Sequence, residues 1–250
     1  MVMNQHQLLM DLVRELDSHP DCRVHEIIAG DFGHLVAVET ARMGIASWAL
    51  HRPVPAHELP LPPAGGSAKQ LVQNLLSEDP REATIGLACL NSMLPVPPAR
   101  ELQNIKAQNL LLRYGRGKKV AVIGHFPFVA TIRHQFKQFW VLERSPRAGD
   151  RRAEEAPQIL PAADAVAISA TTLANGTLAE ILALCPKSAV KIMLGPSTPL
   201  AASLFSYGIQ ALAGSIVEDR ELVKQSILAG LPFKQLHGIR YVVWENFGGD

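Results

Sequence analysis

The stretch Ala163-Asp-Ala-Val-Ala-Ile-Ser-Ala-Thr-Thr-Leu-Ala-Asn-Gly-Thr-Leu-Ala-Glu-Ile-Leu-Ala-Leu-Cys-Pro-Lys-Ser-Ala-Val-Lys-Ile-Met-Leu-Gly-Pro-Ser-Thr-Pro199 contains two apolar runs, 165–168 and 190–194. Each is followed by a turn of small and hydroxyl-bearing residues, and a helical pattern over 178–185 separates them. Runs without polar alternation suit strands covered on both faces, and a helical crossover joins such strands as parallel neighbours. The pattern repeats outward, with further apolar runs at 120–123, 139–142, 209–213 and 241–244 and helical segments near 129–136, 200–206 and 222–229. Over 118–250 the sequence therefore predicts a Rossmann-like, mainly parallel sheet. Residues 144–161 break the alternation; charges crowd there beside Pro and Gly, which predicts a mobile surface loop.

The first part of the chain reads differently. Leu8, Leu9, Leu12, Val13 and Leu16 recur at helical spacing until His19-Pro20-Asp21 ends the segment. Short β-prone runs at 23–29, 34–40 and 44–48, separated by Gly30-Asp31-Phe32-Gly33 and Arg42-Met43, predict an antiparallel meander. Residues 53–63 hold five of the 18 prolines and read as a stiff loop, with His51 and His57 beside prolines and exposed. Ser67 with Gln70 forms a capping box ahead of the stripe Ala68, Leu71, Val72, Leu75 and Leu76, and Asp79-Pro80 with Glu82 does the same ahead of 85–94. Both helices are expected to pack on the meander, and a further helix is expected over 101–113. The domain division is a small α+β meander-plus-helix domain over 1–95, a connecting segment with its helix over 96–117, and an α/β domain over 118–250.

Composition excludes several classes of function. Lys and Arg number 24 against 23 Asp and Glu, a formal charge of +1, without the basic excess of a nucleic-acid binder. At 48% hydrophobic and 19% charged, against an average of roughly 25% charged, the chain fills cores rather than forming a disordered tail. Cys22, Cys89 and Cys185 show no C-x-x-C spacing, so neither a disulfide framework nor a structural zinc site is indicated. Asp11, Arg14 and Glu15 interrupt what a signal peptide would need, and nowhere do about 18 apolar residues run together. The expectation is a soluble cytoplasmic protein with neither nucleic acid nor membrane as partner; its oligomeric state, a homo-oligomer included, stays open.

Ligands of open parallel sheets sit beyond the carboxyl ends of the strands, which singles out four loops. The first is Gly124-His125-Phe126-Pro127. The third strand is followed by Ser169 to Thr177, with Thr171, Thr172, Asn175, Gly176 and Thr177; the fourth by Gly195-Pro196-Ser197-Thr198-Pro199; the fifth by Gly214 to Asp219. Hydroxyls and free N–H groups at helix starts favour an anion or polar ligand. His125, Thr172, Asn175 and Ser197 are expected to line one cleft facing the first domain, with Asn91 contributing from its helix. Glu143 ends the second strand 19 residues after Gly124, near the offset at which an acidic residue meets a ribose hydroxyl. Phe126 and Val129 stand where G-x-G-x-x-G needs glycine, which argues against NAD in its usual pose and leaves S-adenosylmethionine or a smaller ligand. The nine histidines include no H-E-x-x-H and no i,i+4 pair, and no G-x-S-x-G is present. His125, at a strand terminus, is the best single candidate for a ligand or general base.

The constellation Asn175-Gly-Thr177, Gly195-Pro-Ser-Thr-Pro199 and Ala213-Gly-Ser215 followed by Asp219, with Gly124-His-Phe-Pro127 and Leu87-Ala-Cys-Leu-Asn-Ser92 upstream, resembles the "putative heavy-metal chelation" family of bacterial and archaeal proteins. The resemblance implies an enolase amino-terminal-like domain joined to a Rossmann-like domain, a pocket between them, and a role in binding or handling a metal ion or metal chelate. A metal would then draw on separate segments, with His125 and Asp219, Glu218 or Glu39 as ligands. Two functions follow as expectations: binding of a small anionic ligand or metal chelate between the domains, or an enzyme using a nucleoside cofactor such as S-adenosylmethionine with Glu143 on the ribose.

Overall fold

The computed structural model describes residues 4–30, 34–50 and 61–247. Asn4 caps α1 (Gln5–Arg14) by accepting from the His6 N–H, and the stripe Leu8, Leu9, Leu12 and Val13 is buried. The meander follows as β1 (Glu26–Ala29), β2 (Leu35–Glu39) and β3 (Met43–Ser47), an antiparallel sheet in that order. Of its turn at 30–33 only Gly30 is described, and residues 51–60, with His51, His57 and most of the Pro-rich stretch, also lie outside the described residues. Ser67 accepts from the Gln70 N–H to cap α2 (Ala68–Val72), which a 3-10 turn, Gln73–Leu76, extends.

Asp79 caps α3 (Pro80–Met93), but Glu82 does not reach back to it as the spacing suggested. The Glu82 carboxylate instead accepts the Ser77 hydroxyl at 2.6 Å, and Ser77 in turn accepts from the Asp79 N–H at 3.1 Å. Helix α3 lies directly on β3 because Gly44 has no side chain: a Cβ there would stand 2.2 Å from the Ala88 carbonyl oxygen. The helix expected over 101–113 begins later. Ala99–Glu101 form a 3-10 turn, Leu102–Gln103 form the edge strand β4, and α4 spans Ala107–Gly115. Strand β4 finds its partners on Val243 and Trp244, and that tertiary pairing overrides the helical spacing.

The chain continues through β5 (Lys119–Ile123), α5 (Val129–Ile132), β6 (Gln138–Glu143), β7 (Arg151–Arg152), α6 (Ala156–Ile159), β8 (Ala165–Ser169), α7 (Thr171–Ala174) and α8 (Leu178–Leu184). It ends with β9 (Val190–Leu194), α9 (Ser203–Ser206), β10 (Ala211–Val217), α10 (Arg220–Leu228) and β11 (Ile239–Glu245). These strands and β4 form an eight-stranded sheet in the order β4-β11-β10-β9-β8-β5-β6-β7, parallel from β10 to β7 and antiparallel at β11 and β4. Val120, Val122, Ala165 and Ala167 pack on one face with Leu110 and Leu111 of α4, whereas Ala121, Val166, Ile168 and Met193 face a core shared with α1, α3 and the small sheet. Both faces are covered, which is why the runs carry no polar alternation.

The structure departs from the sequence reading at three further places. Residues 144–161 are not an open loop: β7 pairs with β6, helical turns follow, and Ile159 and Leu160 are buried. Helix α9 has four residues where 200–206 was expected. Strand β10 runs on to Val217, held by a ladder with β11 from Ala211–Glu245 to Val217–Ile239, so Gly214 and Ser215 stand inside a strand.

The chain is thus a mixed α/β protein with a small antiparallel sheet and a larger, mostly parallel one. Helix α10 closes the outer face of the small sheet, packing Val223 and Ile227 against Ile28, Leu35, Ala37 and Ile45. Arg220–Glu39 at 2.7 Å and Lys224–Glu26 at 2.6 Å reinforce that contact. No helix of the described residues is long and apolar enough to cross a membrane.

Candidate functional site

Counted along the chain, β6-β5-β8-β9-β10 is the order 2-1-3-4-5, so the sheet reverses its winding between β5 and β8. A crevice opens at such a switch point because the two connections leave on opposite faces. The loops after β5 and β8 meet there. Gly124 adopts φ +100°, and a Cβ on it would stand 3.1 Å from Cβ of Ser169, so only glycine lets the chain turn out this close to β8.

That turn presents His125. Its N–H donates to Glu143 Oε1 at 2.8 Å, and the Arg144 N–H donates to Oε2 at 3.0 Å, so Glu143 uses both carboxylate oxygens to fasten backbone. The ring Nδ1 bonds Asp150 Oδ2 at 2.9 Å, and the Arg147 N–H donates to the same oxygen at 3.0 Å. Asp150 is almost fully buried, its side chain 4% exposed, whereas His125 keeps 21%.

A cleft of about 1110 Å³ opens over these groups. Its base is Gly124, Ser169 and Gly195 at strand ends with Gly214 inside β10; one wall is Ser47, which ends β3, with Trp48 and Leu50 after it, and another is the amino-terminal turn of α4 with Lys106. Phe126 and Phe128, stacked at 5.5 Å, and Phe233 with Tyr241, edge to face at 5.3 Å, supply aromatic surface. Burial raises the Tyr241 hydroxyl pKa, which keeps it protonated. Trp48 lines the cleft with its indole N–H buried and unpartnered among the described residues. Lys106, Arg144, Arg147 and Lys234 line it as well, against the single carboxylate of Glu143 among the described residues.

Of the residues expected from sequence, Gly124, His125, Phe126 and Glu143 line this cleft, as do Thr171, Asn175, Gly195, Pro196 and Ser197. The others do not. Thr172 is 2% exposed and donates to the Ser169 carbonyl, closing the first turn of α7. Gly176 and Thr177 form the turn before α8, where Thr177 donates its hydroxyl to Asn175 Oδ1 at 2.6 Å. Thr198 and Asn91 face a separate, smaller cavity. Ser197 does more than line the cleft: its hydroxyl accepts the Ser47 N–H at 2.7 Å, tying the fourth strand-end loop to the small sheet. Asp150, Trp48 and the cations Lys106, Arg147 and Lys234 were missed. Asp150 lies among arginines, and no local pattern joins it to a histidine 25 residues away.

The donor set does not suit a bare soft metal ion. Among the described residues no three of His, Cys, Asp or Glu gather as ligands. Burial pushes the Cys89 thiol up to about 12 and the Cys185 thiol up to about 11, far from thiolate chemistry. Asp219 caps α10 through the Leu222 N–H and is not among the side chains lining the cleft with His125; Glu39 is paired with Arg220 and Glu218 with Arg240.

Two family models match the chain, both described as "putative heavy-metal chelation", over residues 13–94 and 106–244. A protein of unknown function from the DUF364 family of Desulfitobacterium hafniense has the same fold, with TM-score 0.81 and 26% identity over 97% of this chain and 98% of that one. A DUF364 protein of unknown function from Pyrococcus horikoshii gives TM-score 0.77 at 21% identity over 98% of this chain and all of that one. An uncharacterized protein of Methanocaldococcus jannaschii is 32% identical over 144 residues, 55% of this chain, so the match spans about half (56%) of the length of that curated relative. By fold and by the extent of the match, the chain belongs to the DUF364 family, whose model is described as "putative heavy-metal chelation".

Proposed function

We propose that the chain binds a bulky organic anion, a metal already wrapped in its chelator, in the cleft between the meander part and the parallel sheet. The observation that carries this reading is the charge of the lining. Lys106, Arg147 and Lys234 have no ion pair among the described residues, while Glu143 is engaged by two backbone N–H groups. The first turn of α4, without an acidic residue, adds the positive end of a helix dipole. At about 1110 Å³ the cleft is at the upper end of ligand pockets, roomy for a chelate and oversized for an ion. A metal that arrives with its own ligands needs no cluster of protein thiolates or imidazoles, which reconciles the family's description with the donor set. His125, oriented by Asp150, meets the ligand as a hydrogen-bonding or basic group.

The alternative, an enzyme with a nucleoside cofactor such as S-adenosylmethionine, has the switch-point location in its favour. Against it, the carboxylate meant for the ribose is already fastening the backbone of its own loop.

Calorimetric titration with cobalt(III)–EDTA tests the proposal, since that inert, coordinatively saturated anion exchanges no ligand with protein side chains. Saturable one-to-one binding is expected, with none for the aqueous Co²⁺ ion. Tight binding of Co²⁺ with no binding of the chelate would overturn it, and binding of S-adenosylmethionine alone would favour the alternative.

A further inference from the structure

A second cavity, of about 40 Å³, lies on the far side of the Gly195–Thr198 loop, between β3, the carboxyl end of α3 and β10. Volume of this kind accommodates a few waters or one anion of about four or five heavy atoms. Three buried polar atoms without a hydrogen-bond partner belong to residues that line it: Asn91 Oδ1, Thr198 Oγ1 and Ser215 Oγ. Native interiors leave few such atoms unpaired, and three on residues that line one cavity call for a common explanation. Thr198 is 3% exposed. The orientation of Asn91 is set by its other end, since Nδ2 donates to the Ile45 and Ser197 carbonyls at 3.0 and 3.2 Å, which leaves Oδ1 as an acceptor in need of a donor.

The charged side chain in the lining is Arg42, and no carboxylate lines the cavity among the described residues. Its guanidinium is half-buried and has no ion pair or hydrogen bond among the described residues, and burial lowers its pKa without threatening a group of such high intrinsic value. A half-buried cation without a counter-charge among the described residues favours an anion beside it.

We infer that this cavity binds one small protonated oxyanion, of the size of hydrogencarbonate or hydrogenphosphate. Arg42 supplies the charge, Thr198 and Ser215 donate to the anion's oxygens, and the anion's own O–H donates to Asn91 Oδ1. The site is separate from the large cleft but shares Pro196 with it as a common wall, so an occupied anion site braces the loop that carries Ser197.

Calorimetry on the full chain with hydrogencarbonate and with inorganic phosphate is the test. Saturable one-to-one binding of at least one of them is expected, about tenfold weaker or worse in Arg42→Met and several-fold weaker in Thr198→Val, and unchanged in Arg147→Gln, which alters the large cleft. Thr198→Val removes an unpaired hydroxyl at nearly constant shape, so its melting temperature without anion should equal or exceed the wild-type value, which separates lost binding from lost folding. Failure of both anions to saturate the wild type would mean waters alone fill the cavity and would overturn the inference. So would binding that survives Arg42→Met but is lost in Arg147→Gln, since the anion would then sit in the large cleft.

Discussion

His125 donates through Nδ1 to the buried Asp150 carboxylate at 2.9 Å, and because an ionised carboxylate only accepts, this bond fixes which ring nitrogen carries the proton. Nε2 is left without a partner among the described residues, on a ring that lines the cleft. Asp150→Ala removes the acceptor of both the ring N–H and the Arg147 N–H. The variant is expected to lose about 1–3 kcal/mol of stability in denaturant unfolding, and its imidazole nitrogen shifts should report both tautomers in place of one.

The cation-lined rim gives a graded outcome. Lys106→Gln and Arg147→Gln should each weaken cobalt(III)–EDTA binding by about 0.3–1 kcal/mol at low salt, roughly two- to fivefold. The double variant should also show a shallower dependence of affinity on ionic strength, because screened charges are what it has lost. Equal salt dependence in wild type and double variant would show that these charges do not act on the ligand.

Ser197 is expected to behave as a structural tie. With its hydroxyl removed, the Ser47 N–H loses its acceptor in a nearly closed contact. Ser197→Ala should therefore destabilise the chain by about 1–3 kcal/mol, and at this chain length each kcal/mol lowers the melting temperature by about 2–4 °C. Calorimetric melting of the variant reads the difference directly.

Stability should also fall in alkali at one identifiable contact. The Tyr207 hydroxyl donates to Asp11 at 2.6 Å, joining α1 to the large sheet's side; burial and the Asp11 carboxylate push that phenol up to about 12 from 10.0, and the same bond holds Asp11 below the usual carboxylate range. A raised phenol contributes stability fully present below pH 10 and lost as pH rises through 12. A lowered carboxylate contributes stability present above its unfolded value and lost as pH falls through its folded one. Tyr207→Phe should accordingly show a smaller loss of unfolding free energy between pH 10 and 12 than the wild type, and a smaller acid loss at Asp11.

The sequence disclosed most about elements whose burial is complete. Runs such as 120–123 and 165–168 carry no polar alternation because α4 covers one face and the α1 and α3 core the other, so periodicity and position agree. It disclosed least where backbone partners come from afar. Leu102 and Gln103 read as helix until Trp244 and Val243 supply a ladder, and Ser215 reads as loop until β11 extends β10 past it. The cleft was legible as an edge, from the loops that begin at Gly124, Ser169 and Gly195. Its chemistry was not, because Trp48, Asp150 and Lys234 arrive from segments with no shared pattern. The hydroxyls of Thr172 and Thr177 satisfy their own turns, Thr172 on the Ser169 carbonyl and Thr177 on the Asn175 side chain, as Ser, Thr and Asn side chains do when they bond locally.

The clasp that α10 forms on the small sheet bears on how traffic reaches the cleft. With Val223 and Ile227 sunk among meander side chains, and Arg220 and Lys224 clamping Glu39 and Glu26, the two walls cannot swing apart like jaws without exposing a core. The cleft behaves as a fixed socket. For the chelate proposed above, association through this cation-lined rim should proceed without the slow conformational step that a hinged receptor imposes, and residence time rather than capture should distinguish one candidate ligand from another.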